Sequence, residues 1–513
     1  MQGQKPRLAP AAMAPPPDKI NGLVALYSQG RLKDVLKRGE ALSRQYPTAI
    51  IIHNLLGAAN AGLGRFPEAI AVYNKALQIS PGSAEVHNNL GLTLKKTGKY
   101  EEAVASFTKA LQLAPGSTEA HLNLCTIYDE LNREADLASA LQAARRIGLE
   151  NNAYILMLRA KSSSRSKKFE EALSVLGRIS PAKLPLKDQR AYFHLLGLSY
   201  DNLKLYDKAF EQFKIQNEIA AKMMPARIDP QAYFERIVGR EKSWGSGGRV
   251  DWSATSAESE DISLAFLVGF PRSGTTLLDT VLLGHPHITV VEERPMVARM
   301  REELGQSPSI EVLGKLTESD IKRLRTAYFD ELKRWSGNFD RDKLVIDKNP
   351  LNIRDIGFIH RIFPKAKFVL ALRHPCDCVL SCFMQNFILN DAMGNFLTLE
   401  QSAKLYAAVM QLWKVYTAKL RLNVHILKYE ELVEDLRSTI VPLIEFFELH
   451  WDDNVLNFQE TAKGRGLIPT PSYQQVVKPL YKQASGRWKN YNEHILPVLP
   501  LLQPWIDEFG YGK

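Results

Sequence analysis

Prolines 47, 81 and 115 stand 34 residues apart, and the same step carries Gly30 to Gly64 to Gly98. A period of that length restricts the chain to stacked helix-turn-helix units, since one such unit cannot bury its apolar face without neighbours of the same shape. The stretch LLGAANAGLGRFPEAIAVYNKALQISP (55–81) superposes on LGLTLKKTGKYEEAVASFTKALQLAP (90–115), setting Gly57 on Gly91, Ala69 on Ala103, Tyr73 on Phe107 and Ala76 on Ala110. Small residues let antiparallel helices approach, large aromatic residues fill the gaps between pairs, and the proline stops the second helix. Residues 18–47 read as a degenerate first unit, 116–149 as a further one, 151–181 as a poorer one and 195–213 as the last.

These units resemble tetratricopeptide repeats. The resemblance implies an α-helical solenoid over 18–220 whose concave groove holds a protein or peptide; capping or dimerising a neighbouring enzyme, as in a homodimer, is the plainer alternative. The basic run KSSSRSKK (161–168) has no interleaved aromatics, so a solvated turn is expected rather than a nucleic-acid surface. Residues 1–17 are proline-rich, lack the apolar core of a signal peptide and read as a disordered tail. No run of eighteen apolar residues occurs, and four cysteines among 513 residues make no disulfide framework. The expectation is a cytoplasmic protein without a membrane span. A formal net charge of +10 favours anionic ligands.

The segment GREKSWGSGGRVDWSATSAESED (239–261) is rich in Gly, Ser and charge, and 221–261 reads as a connecting segment and linker. Beyond it the texture changes. Apolar runs LAFLV (264–268), ITVV (288–291), KLVID (343–347), KFVLAL (367–372) and VHILKY (424–429) alternate with helical stretches, predicting an α/β domain over 262–513 with a central parallel sheet buried on both faces. After the first run comes GFPRSGTT (269–276), with the glycine spacing of a phosphate-binding loop but Thr275 where a nucleotide triphosphatase keeps its lysine. Backbone N–H groups at a helix start, with the hydroxyls of Ser273, Thr275 and Thr276, suit one phosphate or sulfate-like group, and Arg272 supplies charge. The lost lysine argues for a ligand with no triphosphate and no required metal. In KFVLALRHPCDCVLSCFMQNF (367–387), Arg373 ends a strand and Ser381 lies about two helical turns on, a second and separate phosphate grip. Cys376, Cys378 and Cys382 read as half-buried thiols rather than a metal site.

The pair PRSGTT and R-x7-S, with LKYEELVEDL (427–436), resembles the sulfotransferase family, whose donor is 3′-phosphoadenosine 5′-phosphosulfate. The resemblance implies that Arg272, Ser273, Gly274, Thr275 and Thr276 hold the 5′-phosphosulfate, Arg373 and Ser381 the 3′-phosphate, and that Tyr429 lies near the nucleotide. His285 and Pro286 followed by Glu292 and Glu293, Lys348 with Pro350, and SYQQVVKP (472–479) with Arg487 downstream are similar to tyrosylprotein sulfotransferases in particular. That similarity brings Ser472, Lys478 and Arg487 to the nucleotide and implies tyrosine on a recruited protein as acceptor. Sulfation of a carbohydrate or small-molecule hydroxyl, a non-catalytic scaffold with a nucleotide-binding module, and a phosphate-loop kinase or GTPase are the alternatives.

Sulfuryl transfer to a hydroxyl needs a carboxylate to take the acceptor proton and cations at the leaving oxygen. Glu293 is the expected base, with Glu292 the competing choice; Lys348 and Arg272, helped by Ser472, are expected at the leaving oxygen. His285 and His287 are rival bases, but a histidine beside a proline at a helix end more often caps or packs. Gln385 and Pro295 stand where tyrosylprotein sulfotransferases carry arginines, which leaves the donor chemistry intact and puts the tyrosine acceptor in question.

Overall fold

A glycine facing an aromatic ring organises each helix pair of the repeats. The helices Ile50–Gly62 and Phe66–Ile79, then Ala84–Lys96 and Tyr100–Leu113, pack as antiparallel pairs. A Cβ on Gly57 would lie 2.4 Å from the Tyr73 ring and one on Gly91 2.7 Å from that of Phe107, so no larger residue fits. His53, His87 and His121 also follow the 34-residue step, and each Nε2 sits 2.8–3.1 Å from the carbonyl of Pro47, Pro81 or Pro115, fastening the turn that the proline opens. Between units, the Asn89 amide donates to Asn54 and that of Asn123 to Asn88, both at 2.9 Å.

The computed structural model describes residues 14–246, 248–252, 262–337, 340, 342–464 and 485–512. The chain divides into two compact units, Met1–Ser180 and Pro181–Lys513. This differs from the expected boundaries at 220 and 261. The helices Leu186–Asn202 and Tyr206–Met223 keep the repeat's packing, with Gly197 against the Phe213 ring, but they belong to the second unit. The Asn217 amide donates to the Phe383 carbonyl at 2.9 Å, and Arg240 meets the buried Asp355 at 2.6 Å. Part of the expected linker is likewise a helix, Pro230–Gly245, whose Trp244 is wholly buried edge-on to Trp252 and Tyr416 and against Gly357. Trp244→Ala should therefore cost the second unit about 3–5 kcal/mol, seen as an earlier urea transition; an unmoved transition would make this helix peripheral.

Five strands form the sheet: β1 Leu264–Gly269, β2 Ile288–Glu292, β3 Leu344–Lys348, β4 Lys367–Leu372 and β5 Asn423–Lys428. They are parallel and ordered β2-β3-β1-β4-β5. Side-chain alternation divides the interior between the two faces. Phe266, Val268, Phe368 and Leu370 enter one core, while Ala265, Leu267, Val369 and Ala371 enter the other. From β1 the chain runs to one side of the sheet and from β4 to the other, so a crevice opens at the carboxyl ends of β1 and β4. Among the described residues, no helix is long and apolar enough to cross a membrane.

Candidate active site

The loop after β1 is held in a shape that few sequences tolerate. Gly274 is left-handed at φ 93° and caps the helix Thr275–Leu283, and a Cβ there would strike the Tyr429 ring at 2.5 Å. Gly269 has the Ala371 carbonyl and Ser273 Oγ at 2.7 Å from where its Cβ would stand. Arg272 is itself left-handed, at φ 72°. Among the described residues only five other non-glycines have positive φ, and four of these, Asn132, Lys167, Lys204 and Glu448, follow helix ends. The fifth is Glu293, at φ 49°. Both unusual backbones outside helix ends thus lie at expected site residues, where strain is commonly retained for function.

The side chains around the loop converge. Arg272 Nε donates to Ser381 Oγ at 3.0 Å, and Arg373 Nη1 donates to the Arg272 carbonyl at 3.2 Å, so the two grips read as separate from sequence adjoin. The Arg373 guanidinium lies 5.0 Å from the centre of the Tyr429 ring. Burial, reinforced by the guanidiniums of Arg373 and Arg487, pushes the Arg272 pKa down to about 10; it stays charged at neutral pH, at an electrostatic cost an anion would relieve. Ser273 Oγ is buried with no hydrogen-bond partner among the described residues. Thr275 and Thr276 are buried at the helix start. A cradle closed to any Cβ, a buried unpartnered hydroxyl and two adjacent guanidiniums fit an oxoanion.

Lys348 ends β3, paired in register with Leu267 of β1. Its Nζ, wholly buried, lies 2.7 Å from Glu292, 2.9 Å from Glu293 and 3.2 Å from Asp279. Burial disfavours the ammonium, but the carboxylates of Asp279, Glu293 and Glu292 outweigh it and hold the pKa above the ordinary lysine value. The Glu293 N–H donates to the Lys348 carbonyl at 2.7 Å, fixing the turn after β2. The two glutamates differ in access: the Glu292 side chain is 13% exposed and that of Glu293 47%.

Other expected residues fare differently. His285 Nδ1 accepts from the His287 N–H at 3.2 Å and its Nε2 lies 2.8 Å from the His450 carbonyl, so both ring nitrogens are committed to packing. Arg487 forms a two-pronged pair with Asp201, at 2.6 and 3.2 Å, although its charge still reaches Arg272. Ser472 and Lys478 lie outside the described residues. Asp279, in the helix after the loop, escaped the sequence reading; an acid inside the apolar run TTLLDTVLL was its signal. The cysteines are buried, and two brace backbone: Cys382 Sγ lies 3.3 Å from the Pro271 carbonyl and Cys378 Sγ 3.8 Å from that of Arg373.

Residues 265–453 match the sulfotransferase family, and residues 47–116 and 94–162 match tetratricopeptide-repeat families. The chain joins tetratricopeptide repeats to a sulfotransferase-family domain. An uncharacterized protein of Aquifex aeolicus is 26% identical over 363 residues, covering 65% of this chain and 44% of that one. The chain therefore spans less than half of that relative's length. Protein-tyrosine sulfotransferase 2 of Gallus gallus is 25% identical over 281 residues, 50% of this chain and 73% of the relative. Protein-tyrosine sulfotransferase 1 of Homo sapiens is 26% identical over 301 residues, 56% and 79% respectively. In this sulfotransferase-family domain the phosphate loop, Lys348 and both glutamates lie inside the matched segment, whereas Asp201 and Arg487 lie outside it.

Proposed function

We propose that the second unit transfers a sulfuryl group from 3′-phosphoadenosine 5′-phosphosulfate to a hydroxyl, that of tyrosine on a protein or peptide gathered by the repeats. The observation carrying this reading is the meeting of the half-buried Arg272 with the buried Arg373 at a loop of phosphate-binding shape without its lysine, one strand from a lysine gripped by carboxylates. In the proposed reaction Glu293 takes the acceptor proton as the new O–S bond forms. Lys348 and Arg272 meet the negative charge left on the bridging oxygen as the old S–O bond breaks. Ser273, Thr275, Thr276 and the loop N–H groups hold the 5′ end of the donor, and Arg373 with Ser381 its 3′-phosphate. Tyr429, already beneath Arg373, is assigned beside the nucleotide. Ser472 and Lys478 keep their proposed places there, and Arg487 a lesser one because Asp201 engages it.

Calorimetry with adenosine 3′,5′-bisphosphate tests the donor half. Wild type should bind, and Arg272→Gln should weaken binding by about ten- to a hundredfold, as expected on losing charge-assisted hydrogen bonds. Failure of the wild type to bind would sink the donor assignment. Labelled sulfuryl transfer into a lysate of the source cells tests the acceptor half, and label found on sugars rather than tyrosine would overturn it.

A further inference from the structure

We propose that the second unit holds another oxoanion site, for a phosphate or sulfate group, in a cleft of about 580 Å³ lined by Arg227, Arg236, Arg301 and Arg354 with Tyr233 and Asp391. The site uses none of the residues assigned to the donor. Its walls come from separate elements. Arg301 lies in the helix Met296–Leu304 after β2, Arg354 in the turn Pro350–Asp355 after β3, and Asp391 beyond the helix Pro375–Met384 that follows β4. The cleft is therefore built from segments that follow three different strands of the sheet. Arg227 and Arg236, which complete it, lie outside the sulfotransferase-family segment.

Four guanidiniums face one lining carboxylate. Asp391 is engaged by Arg236 at 3.1 Å. Behind the lining, the buried Asp355 is shared among Arg240 at 2.6 Å, Arg354 at 3.2 Å and Arg301 at 3.6 Å. Arg301 is left under-neutralised: its Nε is buried without a hydrogen-bond partner among the described residues, and burial pushes its pKa down despite Asp355. The Tyr233 ring lies near two of the guanidiniums, its centre 5.1 Å from that of Arg354 and 5.9 Å from that of Arg236. Arginine forks on separate elements present N–H donors from several directions, a geometry that matches a tetrahedral oxoanion better than a single flat carboxylate.

The test is titration calorimetry of the full chain, with inorganic phosphate and O-phosphotyrosine as probes. Arg227→Gln/Arg236→Gln changes two exposed side chains and should leave the fold intact while weakening binding by about tenfold; Arg301→Gln should weaken it at least as much. Arg272→Gln should leave this binding in place, separating it from the donor reading, which can fail independently. Tighter binding of phosphotyrosine would assign the group to a larger ligand, and equal binding to the inorganic ion. Absence of binding by either probe would overturn the site. So would unchanged affinity in the double variant, since a loss confined to Arg301→Gln reports damage around Asp355.

Discussion

Glu293→Gln should lower the turnover of sulfuryl transfer by about a hundred- to ten-thousandfold, the range typical of a removed general base, while nucleotide affinity stays within about twofold of wild type. The split follows from where the two jobs sit. Donor binding is assigned to the loop after β1 and to Arg373, whereas Glu293 lies after β2, its side chain half exposed and its backbone pinned to the Lys348 carbonyl. Glutamine keeps the shape and a partner for Lys348 but cannot accept the acceptor proton. Glu292→Gln provides the discriminating comparison. Glu292 is more enclosed and makes the shorter contact to Lys348, so its loss should loosen the lysine and cost less in turnover than Glu293→Gln. Rate measurements on both variants at saturating donor decide the matter: a larger loss for Glu292→Gln would move the base to that residue.

The loop after β1 was legible because its turn is a local backbone requirement: Gly274 is left-handed where the loop enters the helix Thr275–Leu283, a conformation that favours glycine. The contacts that close the cradle, Gly269 against the Ala371 carbonyl and Gly274 against the Tyr429 ring, are distant in sequence and were not. The central strands β1, β3 and β4 were legible because their apolar runs fit a sheet covered on both faces, whereas the edge strand β5, expected to be equally buried, leaves Ile426 53% exposed. What stayed hidden depends on distant partners. Asp201 meets Arg487 across 286 positions, and Asn217 meets Phe383 across 166, so neither the diversion of Arg487 nor the place of the helices 186–223 could be read from a local pattern. Those helices carry the same glycine-to-aromatic pairing as the repeats, and only their contacts with the sheet domain set them apart. The Gly- and Ser-rich composition around 239–261 concealed Trp244, whose burial outweighs the flexibility that such composition suggests.

Lys348→Met should both inactivate the domain and destabilise it by about 3–5 kcal/mol, the usual cost of removing one partner from a buried ionic cluster. The lysine and Asp279 are wholly buried, and without the ammonium the Asp279 carboxylate loses its compensation out of reach of water, while Glu292 is 13% exposed. A lysine whose folded-state pKa is raised contributes stability that is complete below the unfolded value near ~10.4 and fades as pH climbs through the folded value. Denaturation near neutral pH therefore compares the variants with the wild-type lysine fully charged. Adding Asp279→Leu should recover a large part of the lost stability, because exchanging buried charges for apolar groups of similar size is often neutral or better. It should recover none of the activity, since the leaving oxygen would still lack its cation. Urea unfolding and transfer rates on the single and double variants read these two effects separately. Restored transfer in Lys348→Met/Asp279→Leu would mean that the lysine serves the fold alone, leaving Arg272 as the cation that meets the leaving group.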